Sequence, residues 1–431
     1  MLNLYTYAPN GSHAHFLKKI KQSLLITFDF TQRGKSGINL AAGSLLSACK
    51  QHPDYGEKFT VDYLSIEMKE TREQNLTIDE IVNKIDHLHA LRNLHGLALG
   101  CYAWNSYMIE PLIRACRNRG FKGNIILGGY QIHESSCQSL YPSGNIYLPS
   151  YSEASLPKAF LQDVVIGKLL IQDQVDFNSL QSPYLDQTIK IQFGQEMIHW
   201  ETQRGCPYSC TFCAHRDIAT NAIHLFSIER LKRELDLFKE MNVKKINVLD
   251  PIFGSNSKSY EILEYAIKIG LKAQLVFQTR FENCSKRLLN LLSQLNTHLE
   301  FGLQTAVSVE YELIDRRNNL SKVNRIIIQL QQKNISFEVS LIYGLPMQTP
   351  DSFAESISFL KSRGVYSLKA FPLMILEGTQ LSADRDKYKI KEGYIDNSGI
   401  LHVIECISFN QADWQVMNSM AKNLDHKMEA A

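Results

Sequence analysis

The chain lacks any apolar run near the ~18 residues of a membrane span. It also lacks a dominant charge: 46 Lys and Arg stand against 44 Asp and Glu, for a net charge of +2. No nucleic-acid or membrane partner is therefore expected. The opening residues M-L-N-L-Y-T-Y-A-P-N lack the basic-then-apolar order of a secretory signal. A paired cysteine framework is missing as well. The nine cysteines are an odd number, and Cys49, Cys101, Cys116, Cys137, Cys284 and Cys406 are scattered. That argues against disulfides and for a reducing, cytoplasmic setting in which most of these six are core residues. The remainder is ordinary for a globular protein, with 44% hydrophobic and 21% charged residues among 431. This length allows two domains, or one large domain with an appendage.

Residues 1–162 alternate strand and helix. The sequence predicts a helix over Gly37–Lys50, a strand over Phe59–Ile66 and an amphipathic helix over Ile78–Leu94. A short buried strand follows at Gly96–Gly100, then a helix at Pro111–Arg119 with Pro in its first turn. Asn124–Leu127 reads as another buried strand and Ile146–Leu148 as a further one, with a helix from about Ser155. Apolar strands alternating with helices imply a parallel, doubly wound sheet. Ligands bind such sheets outside the carboxyl ends of the strands. Two of those ends are suggestive: Gly100-Cys101-Tyr102 and Leu127-Gly128-Gly129-Tyr130. The Gly-Gly either admits a ligand to the backbone or makes a tight turn. Tyr102, Trp104, Tyr107, Tyr130 and His133 either line a pocket or simply pack. Residues 163–196 are polar and aperiodic and read as a linker.

From Met197 the period is regular. Strands are predicted at Ile198–Thr202, Lys245–Asp250, Ala273–Thr279, His298–Leu303, Ile335–Tyr343 and Tyr366–Pro372. Helices are predicted at Ser227–Met241, Lys258–Ile269, Lys286–Leu295, Lys322–Lys333 and Asp351–Arg363. Six repeats are too few for a complete eightfold barrel, so the pattern fits a partial (βα)6 barrel over 197–381, with function at the C-terminal strand ends. Residues 382–431 form an extension, with a strand-like Leu401–Ile407 and a helix-like Gln411–Leu424.

The first barrel strand runs into E-T-Q-R-G-C-P-Y-S-C-T-F-C-A-H, where Cys206, Cys210 and Cys213 have the spacing Cys-x3-Cys-x2-Cys. Three thiolates this close grip one face of a metal site but leave a four-coordinate site incomplete. A zinc site would have to recruit a fourth ligand such as His215. A [4Fe–4S] cluster on three cysteines would keep one iron open for a small ligand.

This loop, with an aromatic residue just before its last cysteine and at the end of the first strand of a six-repeat barrel, resembles the radical S-adenosylmethionine (SAM) superfamily. The segments L-G-G-Y-Q-I-H and L-P-S-Y-S-E-A-S resemble the subgroup with an N-terminal cobalamin-binding-type domain. The resemblance implies a [4Fe–4S] cluster on Cys206, Cys210 and Cys213, SAM on the open iron, and Phe212 against the adenine. Asp250, in L-D-P-I-F-G, lies where the family contacts the methionyl amine, although the usual Gly-Gly-Glu-like turn is absent. F-G-L-Q-T resembles the subgroup's fourth-strand segment, which makes Gln304 and the preceding Glu300 candidates for contacts with the ribose and methionyl groups of SAM. Arg316, in I-D-R-R-N-N-L, matches the subgroup's carboxylate-pairing Arg. Ile342 falls in L-I-Y-G-L-P-M-Q-T after the fifth strand. Cys101, Tyr102, Gly128, Gly129 and Tyr130 correspond to the cobalamin crevice. The Asp-x-His-x-x-Gly signature is absent, so cobalamin binds without a histidine below the cobalt, or the domain stands without it. Ordinary alternatives exist for several of these residues. Glu300 and Gln304 can be plain strand-end polar residues, Arg316 can pair with Glu312 across a helical turn, and Arg280 is either a substrate ligand or a solvated charge.

The leading functional expectation is reductive cleavage of SAM to a 5′-deoxyadenosyl radical that abstracts hydrogen from a small-molecule substrate, with cobalamin-dependent methylation at carbon. The alternative is radical cyclisation, rearrangement or carbon–heteroatom bond formation on the same scaffold. A non-catalytic metal-binding protein would leave the SAM-contact regions without a purpose. A methylthiotransferase lacks support, since neither its cysteine-bearing N-terminal domain nor an RNA-binding tail is visible. The extension carries no Cys-x2-Cys pair, so a single cluster is expected. A flavodoxin- or ferredoxin-type reductase is the implied electron donor.

Overall fold

A computed structural model describes residues 20–30, 38–68, 77–215, 221–395 and 399–425. The start of the helix expected at Gly37 lies outside these; the observed helix is Leu40–Gln51, capped by Asn39, whose side chain accepts from the Ala42 N–H.

The first sheet contains β1 (Lys21–Asp29), β2 (Phe59–Glu67), β3 (Gly96–Gly100), β4 (Asn124–Gly128), β5 (Ile146–Leu148) and β6 (Leu169–Leu170). Its order is β2-β1-β3-β4-β5-β6 and every pairing is parallel. The order reverses at β1/β3, which makes a crevice outside their carboxyl ends. The sequence reading missed β1. Its run S-L-L-I-T-F is apolar on both faces, and six consecutive residues are buried, so it shows neither the strand nor the helix period. The helix expected at Pro111 begins earlier, at Ser106, and Pro111 lies inside it. Burial of Met108 and Ile109 extends the helix forward and outweighs the hydrogen bond that proline removes.

The second sheet is the predicted partial barrel. It contains β7 (Met197–Trp200), and β8 (Gln203–Arg204) pairs outside it with β9 (His224–Leu225). It continues with β10 (Lys245–Val248), β11 (Gln274–Thr279), β12 (Thr297–Gln304), β13 (Ser336–Tyr343) and β14 (Leu368–Pro372). The order is β14-β13-β12-β11-β10-β7, again parallel throughout. The terminal strands β7 and β14 do not pair, so the barrel stays open. On β12, Leu299, Phe301 and Leu303 join the main core, while His298, Glu300, Gly302 and Gln304 alternate onto the open face.

The stretch 171–196 is a packed strap. Tyr184 and Ile189 are buried, and the Tyr184 hydroxyl donates to the His199 carbonyl. Lys50 Nζ reaches Thr188 at 3.1 Å. The extension forms an antiparallel hairpin, β15 (Lys391–Tyr394) with β16 (Leu401–Glu405), and a helix, Gln411–Asp425. Trp414 of that helix packs on Tyr343, with ring centroids 5.8 Å apart.

Candidate active site

The cysteine loop begins with a turn that only glycine permits. Gly205 has φ +82°, and a Cβ there would lie 2.1 Å from the Ala222 carbonyl oxygen. Beyond it the loop is tied down by its neighbours. Thr211 N–H donates to the Ile314 carbonyl at 3.0 Å, and the Thr211 carbonyl accepts from Leu381 N–H at 2.9 Å. Ser209 Oγ donates to Asp315, and the Tyr208 hydroxyl donates to Asn283 at 2.9 Å. Arg280 is not a solvated charge. It is buried, lies 4.1 Å over the Tyr208 ring and pairs with Glu282 at 3.3 Å.

Cys210 is buried, and Cys206 and Cys213 are partly so; all three are free thiols. Burial raises both Cys206 and Cys213, the latter to about 11, with a Tyr208 and a His215 backbone N–H respectively opposing it. Iron ligation would hold them as thiolates. Among the described residues no three His, Cys, Asp or Glu side chains converge on one ion. Thiolates that bind three different irons need not converge as ligands of one zinc do. The His215 ring meets Tyr130 instead, with Nδ1 3.3 Å from the phenol oxygen, so the zinc alternative has no support.

Three of the expected SAM residues gather beside this loop. Arg316 Nη1 lies 3.6 Å from Cys210 Sγ, and its Nη2 donates to the Gly302 carbonyl; no contact with Glu312 competes. Gln304 sits at a bulge in β12 with φ +70°, an uncommon conformation for a side-chain-bearing residue. A Cβ on Gly302 would meet Gln304 Nε2 at 2.5 Å and Arg316 Nη2 at 3.1 Å. Phe212 is partly buried and packs against the barrel core. Two polar atoms here, Thr211 Oγ1 and Arg316 Nε, are buried with no partner among the described residues. Such atoms fit a site that takes a polar, anionic ligand.

The other SAM expectations lie farther off. Glu300 is on the open face of the sheet below Gly302 and accepts from Gln278 Nε2 at 3.4 Å. Ile342 follows on β13, paired with Phe371 on β14. Asp250 is fully buried behind the loop. Its carboxylate accepts from Thr202 N–H at 2.7 Å, from the Thr202 hydroxyl and from Gln203 N–H at 3.2 Å. Burial raises this carboxyl to about 7 against those hydrogen bonds. Asp250 thus holds the strand that enters the cysteine loop, and its oxygens are turned to that backbone.

The crevice of the first sheet faces the same loop. A narrow apolar slot opens there, lined among others by Ala42, Ala98, Gly100, Gly128 and Leu156. Gly129 has φ +105°, and a Cβ on it would lie 2.6 Å from the Cys101 carbonyl oxygen. The two strand ends are that close. Cys101 contributes its backbone here, because its thiol is fully buried, points to the Leu99 carbonyl and is raised by burial. Tyr102 stacks on Trp104, with ring centroids 4.5 Å apart, and stands edge-on to Tyr130. Slot, glycines and stacked rings offer a flat, side-chain-poor cradle suited to a large planar cofactor with an inserted tail.

Sequence reasoning missed the tie between the two crevices. Arg204, one residue before the glycine turn, pairs with Glu153 at 2.6 Å and Glu201 at 3.0 Å. Glu153 also accepts from Ser44 at 2.9 Å. Burial would raise the Glu153 carboxyl, but Arg204 and Ser44 outweigh it and hold it below its usual range. Both residues stood in quoted motifs. No local signal linked them, since their partnership is 51 residues long.

A parallel partial barrel bearing a three-cysteine loop, joined to a doubly wound sheet, defines a class, and the comparisons agree. Residues 200–360 match the Radical SAM superfamily, and the chain carries a radical SAM domain. The 2-(S-pantetheinyl)-carbapenam-3-carboxylate methyltransferase of Streptantibioticus cattleyicolor is 30% identical over 38% of this chain and 26% of its own length. The cobalamin-dependent radical SAM methyltransferase TokK of Streptomyces tokunonensis is 29% identical over 42% and 28%. The matches thus span about a quarter of these relatives. Among solved structures, the radical SAM methyltransferase TsrM of Kitasatospora setae superposes with a TM-score of 0.69 over 94% of this chain and 89% of its own, at 11% identity. The two-domain fold is therefore shared with that enzyme.

Proposed function

We propose that the chain is a cobalamin-dependent radical SAM enzyme that methylates a carbon of a small molecule. One observation carries this reading: the cysteine loop and the Gly-Gly crevice of the first sheet meet directly, through Tyr130 and His215 at 3.3 Å. Cys206, Cys210 and Cys213 would hold the [4Fe–4S] cluster. Arg316 and Gln304 would orient the methionyl end of SAM, with Phe212 at the adenine and Glu300 and Ile342 on the open face of the barrel. Asp250 would position the loop. Gly128, Gly129, Tyr102, Tyr130 and the Cys101 backbone would cradle cobalamin. When bound, the cluster with SAM supplies a carbon-centred radical and cobalamin supplies a methyl group. The chain's own residues would bind and orient these groups. A small electron-transfer protein of flavodoxin or ferredoxin type would provide the reducing electron. We place the enzyme in the cytoplasm; no helix among the described residues is long and apolar enough to cross a membrane.

The test is anaerobic reconstitution with iron, sulfide and cobalamin, followed by product counting with a substrate. Methyl transfer should form both 5′-deoxyadenosine and S-adenosylhomocysteine. 5′-Deoxyadenosine alone, with no corrinoid spectrum retained, would replace methylation with cyclisation, rearrangement or carbon–heteroatom bond formation.

A further inference from the structure

A cavity of about 320 Å³ lies between the first domain and the extension, within the range of roughly 300–1,000 Å³ usual for small-molecule sites. Its walls belong to elements that already touch the site. Gln131 follows the Gly129-Tyr130 turn. Glu377 precedes Leu381, whose N–H holds the cysteine loop through Thr211. Between these walls, a Cβ on Gly378 would meet the His133 ring at 2.5 Å.

The lining carries groups that the fold leaves unused. Gln131 is more than nine-tenths buried, yet its only hydrogen bond among the described residues is from its backbone N–H to Cys101. Its side chain lines the cavity and makes no hydrogen bond among the described residues, which leaves the amide open to a ligand. Arg385 is committed to Glu392. Glu377 has only a loose contact with the same guanidinium, at 3.8 Å, and remains three-quarters buried. The cavity therefore holds one carboxylate more than its cations neutralise. Met374, Ile375, Leu140 and Tyr107 supply an apolar and aromatic surface beside it.

Resting on the proposed function, we infer that this cavity selects the substrate, and that the substrate is a small amine with an apolar or aromatic body. Its ammonium sits on Glu377 and a neutral polar group meets Gln131. The net charge of the lining decides this: an anionic molecule would face Glu377 and Glu392 with Arg385 already engaged, whereas a cation completes the pairing.

The experiment uses the anaerobically reconstituted full chain and three probes of similar shape: tryptamine (cation), tryptophan (zwitterion) and indole-3-propionate (anion). Binding is read by titration calorimetry, with iron content and SAM binding measured on the same samples. Tryptamine should bind roughly tenfold tighter than indole-3-propionate, the scale of one charge-assisted hydrogen bond. Glu377→Gln should erase that preference, and Gln131→Leu should weaken the probes without reversing their order. Equal or tighter binding of the anion overturns the inference, as does a preference that survives Glu377→Gln. Failure of all probes with iron and SAM binding intact also overturns it and leaves the proposed function standing. Loss of iron and SAM binding with probe selectivity retained counts against the proposed function alone.

Discussion

Arg204 and Glu153 form a buried ion pair at 2.6 Å across the seam between the two sheets. Arg204 belongs to β8, immediately before the cysteine loop, and Glu153 to the turn after β5. One of the two carboxylates that hold Arg204 is thus supplied by the other domain, and the second, Glu201, by its own. Removing Glu153 leaves the buried Arg204 guanidinium with Glu201 as its remaining ion-pair partner. Glu153→Ala should lower unfolding stability by about 2 kcal/mol, the scale of one hydrogen bond to a charged group, measured by urea denaturation, and should loosen the cysteine loop enough to lower iron retention.

Asp250 makes stability depend on pH. Its carboxyl is raised by burial to about 7 in the folded chain, against ~3.9 when unfolded. Between these values the folded chain holds the extra proton. Stability therefore falls as pH rises from 4 to 7, by up to ~1.4 kcal/mol per unit, and levels off above. Asp250→Asn should flatten that slope relative to the parent, compared by urea midpoints at pH 5, 6, 7 and 8.

The three loop cysteines should behave unlike the scattered ones. Alanine at Cys206, Cys210 or Cys213 should abolish SAM cleavage and remove most of the iron, which in the parent should approach the roughly four atoms per chain of one [4Fe–4S] cluster. Cys49→Ala, at a fully buried core position, should cost stability and leave the iron content per folded chain unchanged.

Arg316 touches both the Gly302 carbonyl and the Cys210 sulfur. Arg316→Lys keeps the charge but loses the two-pronged geometry. It should weaken SAM binding roughly tenfold or more, read as the concentration dependence of 5′-deoxyadenosine formation. Retention of full SAM affinity would falsify its assigned role.

Gly129→Ala places a methyl group against the Cys101 carbonyl at a φ of +105°. The strain should cost on the order of 1–3 kcal/mol and narrow the crevice. Reconstituted protein should then retain less cobalamin, visible as loss of corrinoid absorbance.

Much of this was legible because the informative patterns are local. The strands β10 to β14 recur regularly between helices, and the spacing of Cys206, Cys210 and Cys213 concentrates a metal-binding group in eight positions. Where patterns are not local, the sequence says less. β1 is buried on both faces and has no period to detect. Asp250 reads as a ligand by its place at a strand end, yet its oxygens are spent on Thr202 and Gln203. Cys101 sits in a crevice motif, but strand pleating turns its thiol to the core.

By itself, the sequence determined the two parallel sheets and the loop of three thiols, because periodicity and short-range spacing need no third dimension. Only the tertiary structure decided that Arg204 finds Glu153, that Tyr130 meets His215, and that Gln131 and Glu377 share a cavity with the extension. Those pairs lie 51, 85 and more than 200 residues apart. Their proximity depends on how two sheets pack, which no local pattern encodes.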